Sequence, residues 1–293
     1  MSQKMKRKKR KETILAWAFL LPSLFGVSCY VLVPFADVIR RSFSEAMTRT
    51  YVGIQNYKSI FENQAFLRAG RNTLRFLAVC IPLLLALSLF FSLLLMNITH
   101  FREIMKTAFL VPLAIPAASI VLLWKVFFHE NGLLNGMLTK FGMQSTDFIN
   151  SGYAFAILIF TYIWKNIGYD LVLWSAGLAE IPESLYEAAA IDGAGKGKTF
   201  LYITLPNLTG TFFIVTVLSF INSFKVFREA YLIAGDYPHE SIYMLQHLFN
   251  NWFTALDIQK MSAGAVVVAV SVFLVIFLSE RIMKHVKESG GER

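Results

Sequence analysis

Residues 193–199 read GAGKGKT, and glycines this dense, closed by Lys-Thr, are the kind of run that cradles a phosphate. A phosphate loop needs its first glycine five positions before Gly197, and position 192 is Asp. A carboxylate there would repel the phosphates. The setting fails as well. Such a loop follows a strand, whereas PESLYEAAA before it is helix-forming, with Pro182 at the start and three alanines. The stretch therefore reads as a short helix that begins near Pro182 and stops at the glycines 193, 195 and 197. It carries Glu183, Glu187 and Asp192 on an apolar frame of Leu185, Ala188 and Ala189. TFLYITLP then resumes an apolar pattern.

A second set of chemistry-bearing residues lies inside apolar runs: Lys165, Asp170, Lys225, Arg228 and Glu229. Charges in such runs are costly and face a bundle interior or a water-filled path. Lys225 and Glu229 are four apart, so one helix face would pair them. WKNIGYD and FINSFKVF are the most polar deep stretches. Aromatic faces and neutral hydrogen-bonding groups there (Trp124, Trp164, Tyr169, Trp174 and Asn222) suit a hydroxyl-rich solute. The candidate solute pathway is Trp164, Tyr169, Asn222 and Lys225, and the expected solute is a neutral oligosaccharide or related glycoside. No cofactor and no metal site is expected: Cys29 and Cys80 both sit in apolar runs as small core residues.

The elements that must hold these groups are membrane spans. Of 293 residues, 56% are apolar and 16% charged, against about a quarter charged in soluble domains. Runs long enough to cross a bilayer occur at about 13–36, 73–96, 107–128, 153–178, 208–233 and 261–281. They are continuous, not alternating, which excludes a β-barrel. The expected fold is an all-α integral membrane protein with six transmembrane helices. FLAVCIPLLLALSLFFSLLLM, almost purely apolar, is expected to face lipid along much of its length. The first run is too long for a signal peptide, and no cleavage site follows.

The net charge of +9 comes largely from MSQKMKRKKRKE; the rest holds 21 basic against 18 acidic residues, or +3. A basic block before a first span marks a cytoplasmic N-terminus, not nucleic-acid binding. Six spans return the C-terminus to the same side. Segments on that side then hold 15 Lys/Arg, and those on the other hold 8, six of them in 37–72. NIT and NLT match the glycosylation pattern but fall on the cytoplasmic side, where they stay unmodified.

EAAAIDGAGKGKTFLYITLP resembles the cytoplasmic coupling loop of ATP-binding-cassette importer permeases, through Glu187, Ala188, Ala189, Asp192, Gly193, Ala194, Phe200, Ile203, Leu205 and Pro206. YVGIQNY, the Asn-Thr at 72–73, FLVPLAIPAASIVLLWKVFFHENGLLNGML with its Gly-x-x-Asn, and IWKNIGYDLVLWSAGLAEIPESLYEAAAIDGA extend the likeness over roughly 15–285. The chain is thereby similar to the maltose-permease-like carbohydrate class of binding-protein-dependent inner-membrane components. AGDYPHES departs from the Gly-Gly-Pro turn frequent in that class. The resemblance implies a type I importer permease fold with a cytoplasmic coupling helix. It implies coupling through Glu187, Ala188, Ala189, Asp192, Gly193 and Pro206. Implied partners are a cytosolic ATPase dimer, a second homologous permease subunit and an extracytoplasmic solute-binding protein. The chain would divide into a basic tail 1–12, a first span and outer segment 13–72, a permease core 73–281 with its coupling loop 179–206, and a cytoplasmic tail 282–293. A phosphate or polyamine importer and an ion-coupled secondary transporter are the competing readings. A multi-pass cell-membrane protein with both termini cytoplasmic follows.

This topology is testable with an impermeant thiol reagent in a background lacking Cys29 and Cys80. In intact cells Ser151→Cys is labelled from outside and Ser184→Cys is silent; the reverse pattern overturns the orientation.

Overall fold

The computed structural model describes residues 3–290 apart from Asn97 and Thr99, with side chains from 12 to 284. Side chains of the basic tail, most of the C-terminal tail and the NIT pattern thus lie outside the described residues. In chain order the first helices are α1 Gln3–Val27, α2 Val33–Ser42, α3 Gln55–Glu62, α4 Gln64–Met96, α5 Arg102–Ala114, α6 Ala117–Phe128 and α7 Leu133–Lys140. Then come α8 Ala154–Ala179, α9 Glu183–Ile191, α10 Lys196–Thr199, α11 Leu205–Asn207, α12 Thr209–Ser223, α13 Phe227–Ala234, α14 Leu245–Thr254 and α15 Ile258–Gly290. Five helical stretches are long and apolar enough to cross a membrane, and a sixth span exists if the bent pair α5 and α6–α7 counts as one.

Prolines explain the irregular places. π-Helical turns occupy Ser28–Leu32 and Phe200–Thr204, each ending two residues before a proline, Pro34 and Pro206. A proline ring clashes with the carbonyl four residues back, here Tyr30 and Tyr202, and lacks the N–H that would bond it. A widened turn accommodates both faults. The run expected as one third span is instead bent by 88° between α5 and the helices after it. Ile115, held extended at ψ 129° by the following Pro116, makes the corner.

The chain forms two compact units. The first comprises Met1–Asn63 and Trp252–Ser271. Its first span, Glu12–Ser42, has none of its apolar window buried. After it, Asn56 donates Nδ2 to the carbonyls of Ser42 and Ser44, both at 3.0 Å, and Tyr57 Oη lies 2.7 Å from Ser42 Oγ. These bonds close the loop that YVGIQNY ends. Asp37 binds both Arg40 and Arg41, at 2.8 and 2.5 Å, which offsets part of the basic excess in 37–72.

The second unit comprises Gln64–Asn251 and Val272–Arg293. At its centre α4 packs along α8. One side of α4 meets this core, with Phe76, Cys80, Leu84, Ser88, Ser92 and Leu95 all buried, while Leu74, Val79, Leu83, Phe90 and Leu94 on the remaining surface are exposed. Small polar side chains permit the approach. Trp174 donates Nε1 to Ser88 Oγ at 3.0 Å, and Ser92 and Ser175 share a bond of 2.9 Å. Asn72 donates to the carbonyls of Glu240 and Tyr243 at 2.6 and 2.9 Å. Thr73 Oγ1 accepts the N–H of Leu245 at 3.1 Å, while His247 Nδ1 accepts that of Met244 at 3.2 Å. Burial pushes the His247 pKa down to about 4, so the ring stays neutral and keeps this acceptor. In α7, Asn135 donates to the carbonyls of His129 and Thr146, both at 2.9 Å, and accepts the Thr146 N–H at 3.0 Å. The Asn-Thr and Gly-x-x-Asn elements thus act as staples.

Gly168 is where α5 crosses α8: a Cβ there would stand 2.0 Å from the Phe109 carbonyl oxygen. Backbone cannot yield cheaply. Gly168→Ala should destabilise the protein by about 1–3 kcal/mol, read as a lower unfolding temperature in detergent. Gly210→Ala, with nothing within 4 Å of the added carbon, should not. Equal unfolding temperatures for the two variants would contradict this crossing.

Candidate functional site

Two features stand out in the second unit. The first is the stretch between α8 and α12. Its helix α9 starts after Pro182, whose extended ψ of 131° sets the entry. It ends at Gly193, whose φ of +70° only glycine adopts without strain. The Ala194 N–H bonds the Ala189 carbonyl at 2.9 Å, and the Gly193 N–H bonds Ala190 at 3.1 Å. This is a Schellman ending, which satisfies the last carbonyls of the helix. Of the three glycines expected to stop the helix, only Gly193 does so. Gly195 precedes α10 with ordinary φ, and Gly197 lies inside it.

Within α9, Ala189 is buried, whereas Glu187, Ala188 and Ile191 are exposed, as are Asp192 and Gly193. The helix is fastened beneath: Ile181 is buried in one core with Trp174, Leu178 and Leu208, and Tyr186 packs against it. Tyr186 Oη also lies 3.2 Å from Thr204 Oγ1. Exposed Pro206 follows the π turn. A helix precedes GAGKGKT, as expected, and a strand is absent among the described residues.

The second feature is a cavity of about 310 Å³, lined among others by Lys165, Asn166 and Tyr169 of α8 and by Asn222, Lys225, Arg228 and Glu229. Leu113 of α5 closes another side. Tyr169, Asn222 and Lys225, expected together from the sequence, do share this wall. Trp164 does not. It lines a separate, apolar cavity with Ile163 and Ile167, and its ring packs edge-on against Trp124 with centroids 5.9 Å apart. Trp174 and Trp124 are likewise buried in cores.

The charges are arranged differently from the simple helical expectation. Lys225 does not pair with Glu229. A 3₁₀ turn, Phe224–Val226, interrupts the span between α12 and α13. Residues three apart eclipse in such a turn. Lys225 consequently donates to Asn222 Oδ1 at 2.7 Å, and Glu229 turns to Lys165 of α8 at 2.6 Å. That ion pair is well buried, with side chains only 14% and 8% exposed. One turn further along α8, Asp170 is buried and accepts from Ser219 Oγ at 2.7 Å, and Tyr162 Oη donates to the Ser219 carbonyl at 3.0 Å. The lining residues Tyr162, Asn166, Arg228 and Glu229 were not among the expected pathway set. For all but Arg228 the signal was present: 162, 165, 166 and 169 follow the i, i+3, i+4, i+7 spacing of one helix face, as do 222, 225, 226 and 229.

The family model for the binding-protein-dependent transport system inner membrane component matches residues 76–289. The sulfoquinovosyl glycerol transport system permease protein SmoG of Agrobacterium fabrum is 31% identical over 264 residues, covering 87% of this chain and 86% of the relative. The sn-glycerol-3-phosphate transport system permease protein UgpA of Salmonella typhimurium is 31% identical over 282 residues, covering 93% and 94%. A chain from the crystal structure of a bacterial ABC transporter involved in import of the acidic polysaccharide alginate superposes with a TM-score of 0.83 at 20% identity. The match covers 96% of this chain and 99% of that one, and it shows the shared fold.

The Lys165–Glu229 pair makes a separable prediction. Removing one buried partner strands the other charge, which costs about 3–5 kcal/mol, while replacing both by apolar residues is often close to neutral. Glu229→Leu should sharply lower the unfolding temperature, and Lys165→Met added to it should recover most of the loss. Simple addition of the two losses would refute the pairing.

Proposed function

This chain belongs to the binding-protein-dependent transport system inner membrane components, and from that premise we propose that it is the translocating subunit of an ATP-driven importer of a sugar or oligosaccharide. The observation that carries the reading is mechanical. α8 lines the polar cavity with Lys165, Asn166 and Tyr169, and the same helix runs into the packed junction of Ile181, Tyr186 and Thr204 that bears exposed α9. A push on α9 would therefore reach the cavity wall without slack. The names of the relatives, transporters of sulfoquinovosyl glycerol and sn-glycerol-3-phosphate, support a polyhydroxylated solute.

In this reading the chain itself hydrolyses no ATP. A cytosolic ATPase dimer grips α9 through Glu187, Ala188, Ala189 and Asp192, and its closure moves the helix about the Gly193 ending and the Pro206 turn. Differential contact in the two nucleotide states supplies the bias. A second, homologous permease completes the pathway, and an extracytoplasmic binding protein delivers the solute. Both termini are cytoplasmic. The tails 1–12 and 282–293, the first span with its outer segment 13–72, and the core 73–281 with loop 179–206 are its functional divisions. Tyr169, Asn222 and Lys225 contact the solute, and Trp164 supports them from the neighbouring core. An ion-coupled transporter is less well supported, because Asp170 and Glu229 are engaged by Ser219 and Lys165.

In the reconstituted complex, Glu187→Lys should insert normally yet weaken ATPase association roughly tenfold, the loss of one charge-assisted contact. Titration of the ATPase onto permease in nanodiscs measures it. Asn222→Leu should lower sugar uptake by about the same factor while the unfolding temperature holds. Unchanged association, or a stability loss that matches the uptake loss, would remove the residue concerned from the mechanism.

A further inference from the structure

We propose that the cavity between α8 and the interrupted α12–α13 span selects an anionic polyhydroxylated solute, whose acidic group is held by Lys225 and Arg228. The proposal rests on the importer reading and names the solute class of that same cavity. Its first ground is charge. The wall holds Lys165, Lys225 and Arg228 against one carboxylate, Glu229. Lys165 is consumed by Glu229 at 2.6 Å. Two positive charges are left unmatched. Lys225 donates one bond, to Asn222 Oδ1 at 2.7 Å, and an ammonium has three to give. Arg228 has no salt bridge among the described residues. Asp170, the other acid of this region, does not line the cavity and is bound by Ser219.

The second ground is depth. Lys225 lies nine residues and Arg228 six residues inside the end of the apolar span Thr209–Ala234. Unpaired cations within an apolar segment are costly and mark a functional path. A neutral sugar would be served as well by amides, without that cost. An anion relieves it on arrival. The planar guanidinium matches the paired oxygens of a carboxylate, phosphate or sulfonate, and the ammonium adds a point charge.

The third ground is the remaining wall, which reads hydroxyls. Asn166 gives Nδ2 to the Tyr162 carbonyl at 2.8 Å, leaving Oδ1 to accept. Asn222 has Oδ1 occupied by Lys225, leaving Nδ2 to donate. The Tyr169 hydroxyl can do either. At about 310 Å³ the cavity is at the small end of ligand sites, roughly 300–1,000 Å³. The solute class is thus a small acidic sugar or glycoside, and the neutral solute expected from sequence is replaced by a charged one.

Two measurements on the complete complex test this. The first reads the field of the cavity. Leu113→Cys, in a background lacking Cys29 and Cys80, is treated with anionic ethylsulfonate and cationic trimethylammonium-ethyl methanethiosulfonates. Relative to a free thiol, the anionic reagent should be favoured at least about tenfold, and the preference should collapse in Lys225→Met/Arg228→Met. A preference absent, reversed or indifferent to those substitutions overturns the proposal. The second reads uptake of matched solutes in proteoliposomes with the binding protein. The pairs are a glucuronyl disaccharide and its neutral diglucoside, a phosphorylated hexose and the hexose, and a sulfonated glucoside and the plain glucoside. Uptake confined to acidic members supports the proposal, and Arg228→Gln should then reduce it at least about tenfold. Uptake of neutral members alone overturns it and leaves the importer reading standing. Uptake of none from an assembled, ATP-hydrolysing complex overturns the sugar reading, and the proposal falls with it.

Discussion

Lys165 of α8 and Glu229 of α13 meet at 2.6 Å within two membrane spans, with little of either side chain exposed. Neither charge tolerates solitude at that depth, since an unpaired partner carries the full cost of desolvation. The two helices must therefore lie side by side with these faces opposed. Much of the local architecture follows from that. The adjoining bonds from Ser219 to Asp170 and from Tyr162 to the Ser219 carbonyl fasten α8 to α12 beside the pair. Gly168, on the neighbouring turn, admits the α5 backbone at a distance no side chain would allow. Leu113 of α5 is thereby brought to the cavity rim.

The same constraint shapes the break in the span. A continuous α-helix would align Lys225 with Glu229 and close one cation onto the only carboxylate of the wall. The 3₁₀ turn at Phe224–Val226 rotates Lys225 over Asn222 instead. Glu229 is then free for Lys165, and Lys225 is left facing the cavity. A local irregularity in the backbone so decides which of the two lysines is left unpaired in the wall.

One helix joins the cavity to the exposed α9. α8 carries cavity residues along its middle and reaches the Ile181–Tyr186 junction at its end. Beyond it α9 is short, satisfied at its C-terminus by the Gly193 ending, and exposed on Glu187, Ala188 and Ile191. The π turn before Pro206 leads back toward α12, the other cavity helix. Loop and cavity are linked through rigid helices and a packed junction, which is the physical condition for coupling between separated sites.

Several of these features were legible in the residues alone. Run length and composition determined an all-α membrane chain, because hydrocarbon admits only backbones that satisfy themselves. Asp192 in place of glycine and the helix-forming PESLYEAAA ruled out a phosphate loop, and Gly193 marked the helix end. Tyr169, Asn222 and Lys225 were recognisable as cavity residues, because polar groups in apolar runs must turn inward. Sequence periodicity, however, says which residues share a face of one helix and not which neighbour that face meets. Only the tertiary structure could assign Trp164, Trp124 and Trp174 to packing, since an aromatic serves a core or a ligand equally well. Nor could periodicity place α4 at the centre of its unit, when lipid and protein interior are almost equally apolar. The corner at Ile115–Pro116 and the partner of Glu229 were decided in the same way: each depends on a few residues of altered backbone, whose effect is felt across the gap between helices and not along the chain.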